Sequence, residues 1–318
     1  MLLLDKNDRK KLSVGICIAT YGRRELLRRL LAGVADLKFD KMPAPDINVV
    51  VVDNDAERTG EESCREVKLP WATKYVVESR RGVAQARNRA LVEAGDPDYI
   101  AFIDDDEFPT SRWLDELLWT RACFKADVVC GPILPSYAAG VPEWIKDGTF
   151  FSRHVYATGY SVETCSTGNV LIARRVVSTV RAFDERFSLT GGEDAHFFRR
   201  ARQAGFEIVC SGGGIVYESV PTSRGSLRGV LRRAYQAGNS SVLCESCLDR
   251  RRSTRVIQAM KACGRVLQGS ASACAWPICG RVALAKGLKD LFLGAGMLAA
   301  LAGKSFQAYP SAGVESPQ

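Results

Sequence analysis

Tyr99 to Glu107 reads YIAFIDDDE, so Asp104, Asp105, Asp106 and Glu107 follow one another directly behind an apolar run. Carboxylates this close repel one another unless a cation is shared between them. Ligands that are all oxygen suit a hard divalent ion such as Mg2+ or Mn2+. Side chains alternate along an extended chain, which predicts Asp104 and Asp106 on one side and Asp105 on the other. The plainer alternative is a solvated acidic turn that caps a helix beginning near Thr110. A second acidic pair, Glu193 and Asp194, closes the glycine-rich turn TGGED ahead of a predicted helix from Ala195 to Ala204. A carboxylate at the start of a helix is favoured in its ionised form, the form a general base needs. The alternative there is a helix cap using both carboxylates.

The elements that must position these groups alternate between strand and helix. Val14–Ala19 (VGICIA), Ile47–Val52 (INVVVV) and Ile100–Ile103 are apolar runs of β type, and a shorter strand is expected at Lys74–Val77. Between them lie predicted helices at Glu25–Asp36, with Leu26, Leu27, Leu30, Leu31 and Val34 on one face, and from Gly82 to Gly95. A helix over Ser111–Phe124 follows the acidic run. This order implies right-handed crossovers and an α/β fold built on a mostly parallel central sheet with flanking helices. Thr20 and Tyr21, Asp53 and Asn54, and Asp104 to Asp106 all stand at carboxyl ends of strands, where such sheets gather their ligands. Neither GxGxxG nor GxxxxGK[ST] accompanies these strands, which argues against a Rossmann dehydrogenase and a P-loop NTPase. After Val129 proline and glycine become frequent (GPILPSYAAGVPEW), the composition of a loop-rich half that shapes a substrate pocket over roughly Gly131 to Thr164. Further strands are expected at Thr164–Ala173, Phe206–Cys210 and Ile215–Tyr217.

The chain has 318 residues, 46% hydrophobic and 25% charged, enough for one large α/β domain with an appendage or for two domains. A net charge of +8 fits an anionic small molecule or an anionic membrane surface. With no RNP-like aromatics, zinc-finger spacing or long basic run, nucleic acid is not an expected partner. The leucines of Met1–Lys11 are interrupted by Asp5 and the charges after it, so no export signal is expected. The longest apolar run, Leu291 to Ala302, is shorter than the roughly 18–20 residues of a membrane span. These features predict a cytoplasmic active site and cysteines that remain thiols. Cys17, Cys123, Cys130 and Cys210 lie in or beside apolar runs, as small core residues do. Cys244 and Cys247 form a CxxC, but their spacing to Cys263, Cys274 and Cys279 matches no standard zinc pattern.

GICIATYGR, VVVVDND, GVAQARNRA, FIDDDE, STGNVLI, GGEDAHFFRR and VYESVP occur in that order between Leu12 and Ser240. As a set they resemble glycosyltransferase family 2, especially bacterial enzymes that build exopolysaccharides of the succinoglycan type. The resemblance implies a Rossmann-like GT-A domain over residues 12–240, with a nucleotide-binding half at 12–107 and an acceptor half at 108–240. A helical extension over 241–318 follows. It also implies transfer of a hexose from a nucleotide sugar, UDP-linked, to a hydroxyl of a cell-surface glycan or lipid-linked acceptor, with inversion at the anomeric carbon.

The same resemblance implies roles for residues. Mg2+ or Mn2+ held by the DxD would neutralise the diphosphate leaving group, with Asp104 toward the ribose, Asp106 on the ion, and Asp105 among the donor-binding residues. Asp53 and Asn54 match a uracil-side pair that is usually two acids; the amide oxygen of Asn54 still accepts from a pyrimidine N–H. Thr20 and Tyr21 match the turn that packs on the base. Arg87 matches a basic residue near the nucleotide, its plainer alternative being a helix-surface arginine. Asp194 matches the catalytic base and Glu193 an acceptor-side partner. Many relatives carry a histidine metal ligand late in the domain, where this sequence offers Glu218 instead, and His196 is expected to pack rather than to ligate. The rival of a different class is a non-catalytic nucleotide-sugar-binding or membrane-associated scaffold with the same fold. A nuclease-like metal enzyme is disfavoured by the modest charge.

Arg224, Arg228 and Arg232, at i, i+4 and i+8, predict a cationic stripe on one helix face, either solvated or set against diphosphate or anionic headgroups. From Val242 the chain reads as helical. Trp276, Val282, Leu284, Leu288, Leu291, Phe292 and Leu293, interleaved with Arg281, Lys286 and Lys289, suit an amphipathic element at a membrane surface or a helix packed back on the catalytic domain. The expected location is the inner face of the cytoplasmic membrane.

Overall fold

The apolar runs become the strands of a seven-stranded sheet in a computed structural model that describes residues 11–249 and 251–309. The amino-terminal leucines and residues 310–318 of the expected extension lie outside the described residues. Strands β1 (Ser13–Thr20), β2 (Asp46–Asp53), β3 (Ala72–Val77) and β4 (Tyr99–Ile103) are mutually parallel where they pair. They are followed by β5 (Glu107–Pro109), β6 (Val128–Cys130), β7 (Ile133–Tyr137), β8 (Asn169–Ala173), β9 (Ile208–Cys210) and β10 (Val216–Val220). The sheet order is β3–β2–β1–β4–β8–β6–β9. Only β8 runs against its neighbours β4 and β6, while β6 and β9 are parallel, so the sheet is mostly parallel as expected. A smaller sheet has the order β5–β10–β7, and in it Glu218 on β10 sits opposite Glu107 on antiparallel β5.

The helices are α1 (Arg24–Ala35), α2 (Glu61–Glu66), α3 (Val83–Glu93), α4 (Trp113–Phe124), α5 (Glu143–Asp147), α6 (Arg174–Val180), α7 (Glu193–Gln203), α8 (Leu227–Leu248), α9 (Arg252–Cys274) and α10 (Trp276–Leu301). Helix α1 shows why these segments coil: Leu27, Leu30, Leu31 and Val34 recur at helical spacing and are fully buried. Each such side chain contributes about 1.5–3 kcal/mol of apolar burial.

The described chain divides into two units. Unit 1 takes the chain through Leu134, Arg153–Glu185 and Phe197–Glu218, and holds the large sheet and its core. Unit 2 takes Pro135–Ser152, Arg186–His196 and the chain from Ser219 onward. Within it, Val141, Ile145, Phe151, Val220 and Val230 form one apolar cluster, and Val242, Ala262, Met297 and Ala300 another. Helix α10 packs on both α8 and α9 through glycines. A Cβ on Gly238 would fall 2.0 Å from the Leu293 carbonyl oxygen, and one on Gly287 2.7 Å from that of Gly269. Among the described residues no helix is long and apolar enough to cross a membrane.

Three local expectations are corrected. The strand expected from Thr164 begins at Asn169, because Ser166 Oγ accepts from Gly168 N–H (3.2 Å) and turns the chain first. Arg224 lies ahead of α8, whose start is fixed by the Ser226 hydroxyl accepting from Gly229 N–H. The cationic stripe on the helix is therefore Arg228 and Arg232 alone. Finally, Asp104 to Asp106 are a turn, closed by Glu107 N–H donating to the Asp104 carbonyl (3.0 Å), so strand alternation does not apply to them.

Candidate active site

The strand order reverses at β1, which lies between β2 and β4, and open α/β sheets form their ligand crevice at such a switch point. Parallel register sets Thr20, the last residue of β1, beside Asp53, the last of β2. The Thr20 hydroxyl donates to Asp105 Oδ2 (2.8 Å), and Arg23 Nη1 reaches Asp105 Oδ1 at 2.8 Å and Asp106 Oδ2 at 3.3 Å. One guanidinium thus bridges the two aspartates that alternation would have separated. Arg87 is buried on the inner face of α3 and donates to Asp104 Oδ1 (2.8 Å), which removes the helix-surface alternative. Because β5 lies between the acidic turn and α4, these carboxylates do not cap that helix.

Burial dominates the electrostatics of this edge. It pushes the Asp105 carboxyl up to about 6 from an ordinary 3.8, with Asp106 adding to the rise and Arg23 and Thr20 opposing it. Glu107, almost wholly buried, is raised well above its usual range by desolvation and then by Asp104, Asp106 and Glu218 in turn. Its Oε2 accepts from Asp104 N–H (3.2 Å). Glu218 is buried and pairs with Arg153 (3.3 Å).

At the β2 end, Asp53 is fully buried: its carboxylate accepts from Gly60 N–H (2.7 Å), the Tyr75 hydroxyl (2.8 Å) and Asp55 N–H (3.0 Å). The Asn54 amide donates to the carbonyls of Glu78 and Arg80, and its oxygen accepts from Gly82 N–H. Both side chains hold the loops that wall the crevice. Tyr21 is partly exposed, with the Arg81 guanidinium 3.2 Å above its ring centroid.

In unit 2, Glu193 and Asp194 open α7 as its first two residues. Gly191 and Gly192 have φ of +74° and +96°, the left-handed region that favours glycine, and a Cβ on Gly192 would lie 3.2 Å from Ser240 Cβ. Glu193 is buried; Asp194 is partly exposed, and its Oδ1 accepts from Ala195 N–H (2.7 Å). His196 is buried with its ring 5.0 Å from that of Phe187, so it packs as expected.

Sequence reasoning assigned no role of their own to Arg23, Glu107, Arg153 and Asn169. Glu107 carried a visible signal as the fourth acid of the run. Asn169 is buried, accepts from Trp113 Nε1 (2.7 Å), and donates to the carbonyls of Pro132 and Gly214. It fixes the start of β8 beside a cavity of about 210 Å³ at the carboxyl ends of β6 and β9, lined in part by Arg153, His154, Cys130, Cys165 and Cys210. Cys130 and Cys210 face each other across paired strands, Sγ to Sγ 3.4 Å; hydrogen bonding with Cys165 and then burial push the Cys130 thiol up against an opposing effect of Cys210, while hydrogen bonding with Cys130 and then burial push Cys210 up.

Burial, and then the charges of Asp104, Asp106 and Glu218, raises Glu107, so carboxylate oxygens crowd this edge. That composition fits a hard divalent ion. Among the described residues no group of three His, Cys, Asp or Glu side chains could hold an ion by itself. Mg2+-like ions are commonly held by one or two carboxylates, with water and substrate phosphate completing the shell.

This architecture defines a GT-A-like α/β protein with carboxyl-terminal helices. A mannosyltransferase from Pyrobaculum calidifontis, in complex with GDP-Man and Mn2+, superposes with a TM-score of 0.66 over 93% of this chain and 89% of its own, at 16% identity. GalNAc-T7 with UDP, GalNAc and Mn2+ superposes with a TM-score of 0.53 over 74% of this chain and 51% of its own, also at 16% identity. The chain belongs to glycosyl transferase family 2, whose family model matches residues 15–181. It is 32% identical over 241 residues to the succinoglycan biosynthesis protein ExoM of Rhizobium meliloti (strain 1021), covering 74% of this chain and 75% of that protein.

Proposed function

We propose that this family 2 glycosyltransferase is an inverting, metal-dependent hexosyltransferase. It takes its sugar from a UDP-linked donor and passes it to a hydroxyl of a growing surface glycan or lipid-linked saccharide, at the inner face of the cytoplasmic membrane. The observation that carries the reading is the carboxylate cluster at the β1/β4 switch point, tied to Arg23, Arg87 and Arg153. The glycan acceptor is supported by the likeness to ExoM, and the divalent ion by the Mn2+ in both solved neighbours.

In this reading Thr20, Tyr21, Asp53, Asn54, Arg87, Asp104 and Asp105 form the donor side, and residues 12–240 form the catalytic domain ahead of the helical extension. Asp106 and Glu218 hold Mn2+ or Mg2+, which when bound offsets the charge that develops on the departing diphosphate. Arg23 and Arg87 fix the acidic turn. Asp194 takes the proton from the acceptor hydroxyl as its oxygen attacks the anomeric carbon on the face opposite the leaving group, and Glu193 orients the acceptor.

The test is release of UDP from UDP-hexoses in the presence of Mn2+ and saccharide acceptors. Removing a general base lowers turnover about 10²–10⁴-fold. Asp194→Asn is therefore expected to lose that factor while binding donor as the parent does, and a chelator is expected to abolish turnover. Equal turnover with and without chelator, or an Asp194→Asn variant at the parental rate, removes the corresponding assignment.

A further inference from the structure

Helix α9 carries apolar residues on two sides, and only one of them is covered. Gln258, Ala262 and Gly269 are buried, and a Cβ on Gly269 would lie 2.6 Å from the Gly287 carbonyl oxygen and the Leu291 nitrogen of α10. At 3.6 residues per turn, Val256, Met260, Cys263, Leu267 and Cys274 fall together on a different side of the helix. All five are exposed, Met260 by 62% and Leu267 by 71%. The stripe leads into the α9–α10 connection, where Trp276 is 49% and Ile278 91% exposed. Gly280, at φ +75°, breaks the first turn of α10 there and lets the chain reverse. The hairpin therefore ends in an exposed Trp-Pro-Ile-Cys tip.

Charge says what covers this surface. Residues 251–289 contain eight Lys and Arg and no Asp or Glu, while the whole chain carries a net +8, so the remainder of the chain is balanced. Arg251 pairs with Asp249 and Arg265 with Asp290. Arg252, Lys261, Arg281 and Lys286 are exposed around the stripe and the tip. An apolar face rimmed by cations, with tryptophan at its end, matches the interface of an anionic bilayer, where rings and aliphatic chains enter the headgroup layer and cations meet lipid phosphate. A second copy of the same surface would bring like charges together.

We propose that the α9–α10 hairpin is the membrane-docking surface of this protein, with the 276–279 tip and the Val256–Cys274 stripe lying in the headgroup layer of an anionic leaflet. This deepens the membrane location proposed above and rests on it, but is independent of the transferase chemistry: vesicle binding and sugar transfer are separate readouts.

The full chain is floated with vesicles of phosphatidylcholine, alone or mixed with phosphatidylglycerol. Binding is expected only to the anionic mixture and is expected to weaken with salt. Ile278→Asp is expected to lose about tenfold or more in vesicle affinity, and Lys261→Gln about fivefold. Both variants are expected to melt with the parent and to release UDP at the parental rate. Cys263, Cys274 and Cys279 serve as native reporters: anionic vesicles are expected to slow their labelling by a membrane-impermeant maleimide and leave that of Cys64 and Cys123 unchanged. No flotation with anionic vesicles, equal flotation with neutral ones, or unchanged labelling of the three exposed thiols overturns the proposal. So does a dimer in sedimentation that Ile278→Asp dissociates while flotation persists, since a second copy would then own the surface.

Discussion

Asp105→Asn should make the folded protein more stable at neutral pH, although it removes an ion pair. Burial is the largest cause of the raised Asp105 pKa and outweighs the opposing help from Arg23 and Thr20. The folded state therefore holds this proton more tightly than the unfolded chain. Its favourable contribution is complete below the ordinary value of 3.8 and is lost as pH rises through about 6. Roughly two pH units at about 1.4 kcal/mol each give an upper bound of about 3 kcal/mol at pH 7 and above. Asparagine keeps the shape and the contacts. Its oxygen accepts from Arg23 Nη1, and its amide donates to a Thr20 hydroxyl that reverses its role.

Urea unfolding in the presence of a chelator measures the difference. The variant should exceed the parent by about 2–3 kcal/mol at pH 7.5 and match it within about 0.5 kcal/mol near pH 4. A variant less stable than the parent at pH 7.5, or an equal gain at both pH values, would refute the claim that desolvation outweighs the Arg23 pair.

Two substitutions probe the framework around the same edge. A Cβ on Gly168 would lie 2.3 Å from Glu107 Oε1, so Gly168→Ala should drive the buried carboxyl off its Asp104 N–H contact at a cost of about 1–3 kcal/mol. Adding Glu107→Ala should recover part of that loss in a double-mutant cycle, and strict additivity would contradict the contact. Asn169→Ala should cost about 3 kcal/mol or more in urea unfolding, because it strands Trp113 Nε1–H and the carbonyls of Pro132 and Gly214. A loss under about 1 kcal/mol would mean that water replaces the amide.

What could be read from the chain was whatever is repeated locally. The runs VGICIA and INVVVV announce strands covered on both faces, and β1 and β2 are buried along nearly their whole length. Leu27, Leu30, Leu31 and Val34 announce the buried face of α1. The residue types at the carboxyl ends of β1, β2 and β4 were equally visible, but their partners were not. Arg23 meets Asp105 across 82 residues and Trp113 meets Asn169 across 56, and no local pattern encodes either contact. The bonds of Asn54 to the Glu78–Gly82 loop could not be read either, because they form only once β2 and β3 are paired. The alternation expected of Asp104 to Asp106 failed for a local reason that could have been weighed, since three aspartates together favour a turn over a strand.

The distribution of charge at this edge bears on why the proposed chemistry would need an ion from solution. Arg87 answers Asp104, Arg23 answers Asp105 and Asp106, and Arg153 answers Glu218, so each of these carboxylates already holds a cation. Glu107 lies among them, its carboxyl pushed well above the usual range by burial and then by its acidic neighbours. A nucleoside diphosphate brings further negative charge into a partly buried site, where the effective dielectric is low and repulsion is larger than in water. The arginines cannot turn to the phosphates without uncovering the carboxylates they hold. A divalent cation held by Asp106 and Glu218 would offset both charges. On this reading metal and donor should bind cooperatively, and the arginines serve to keep the acidic turn folded while neither is present.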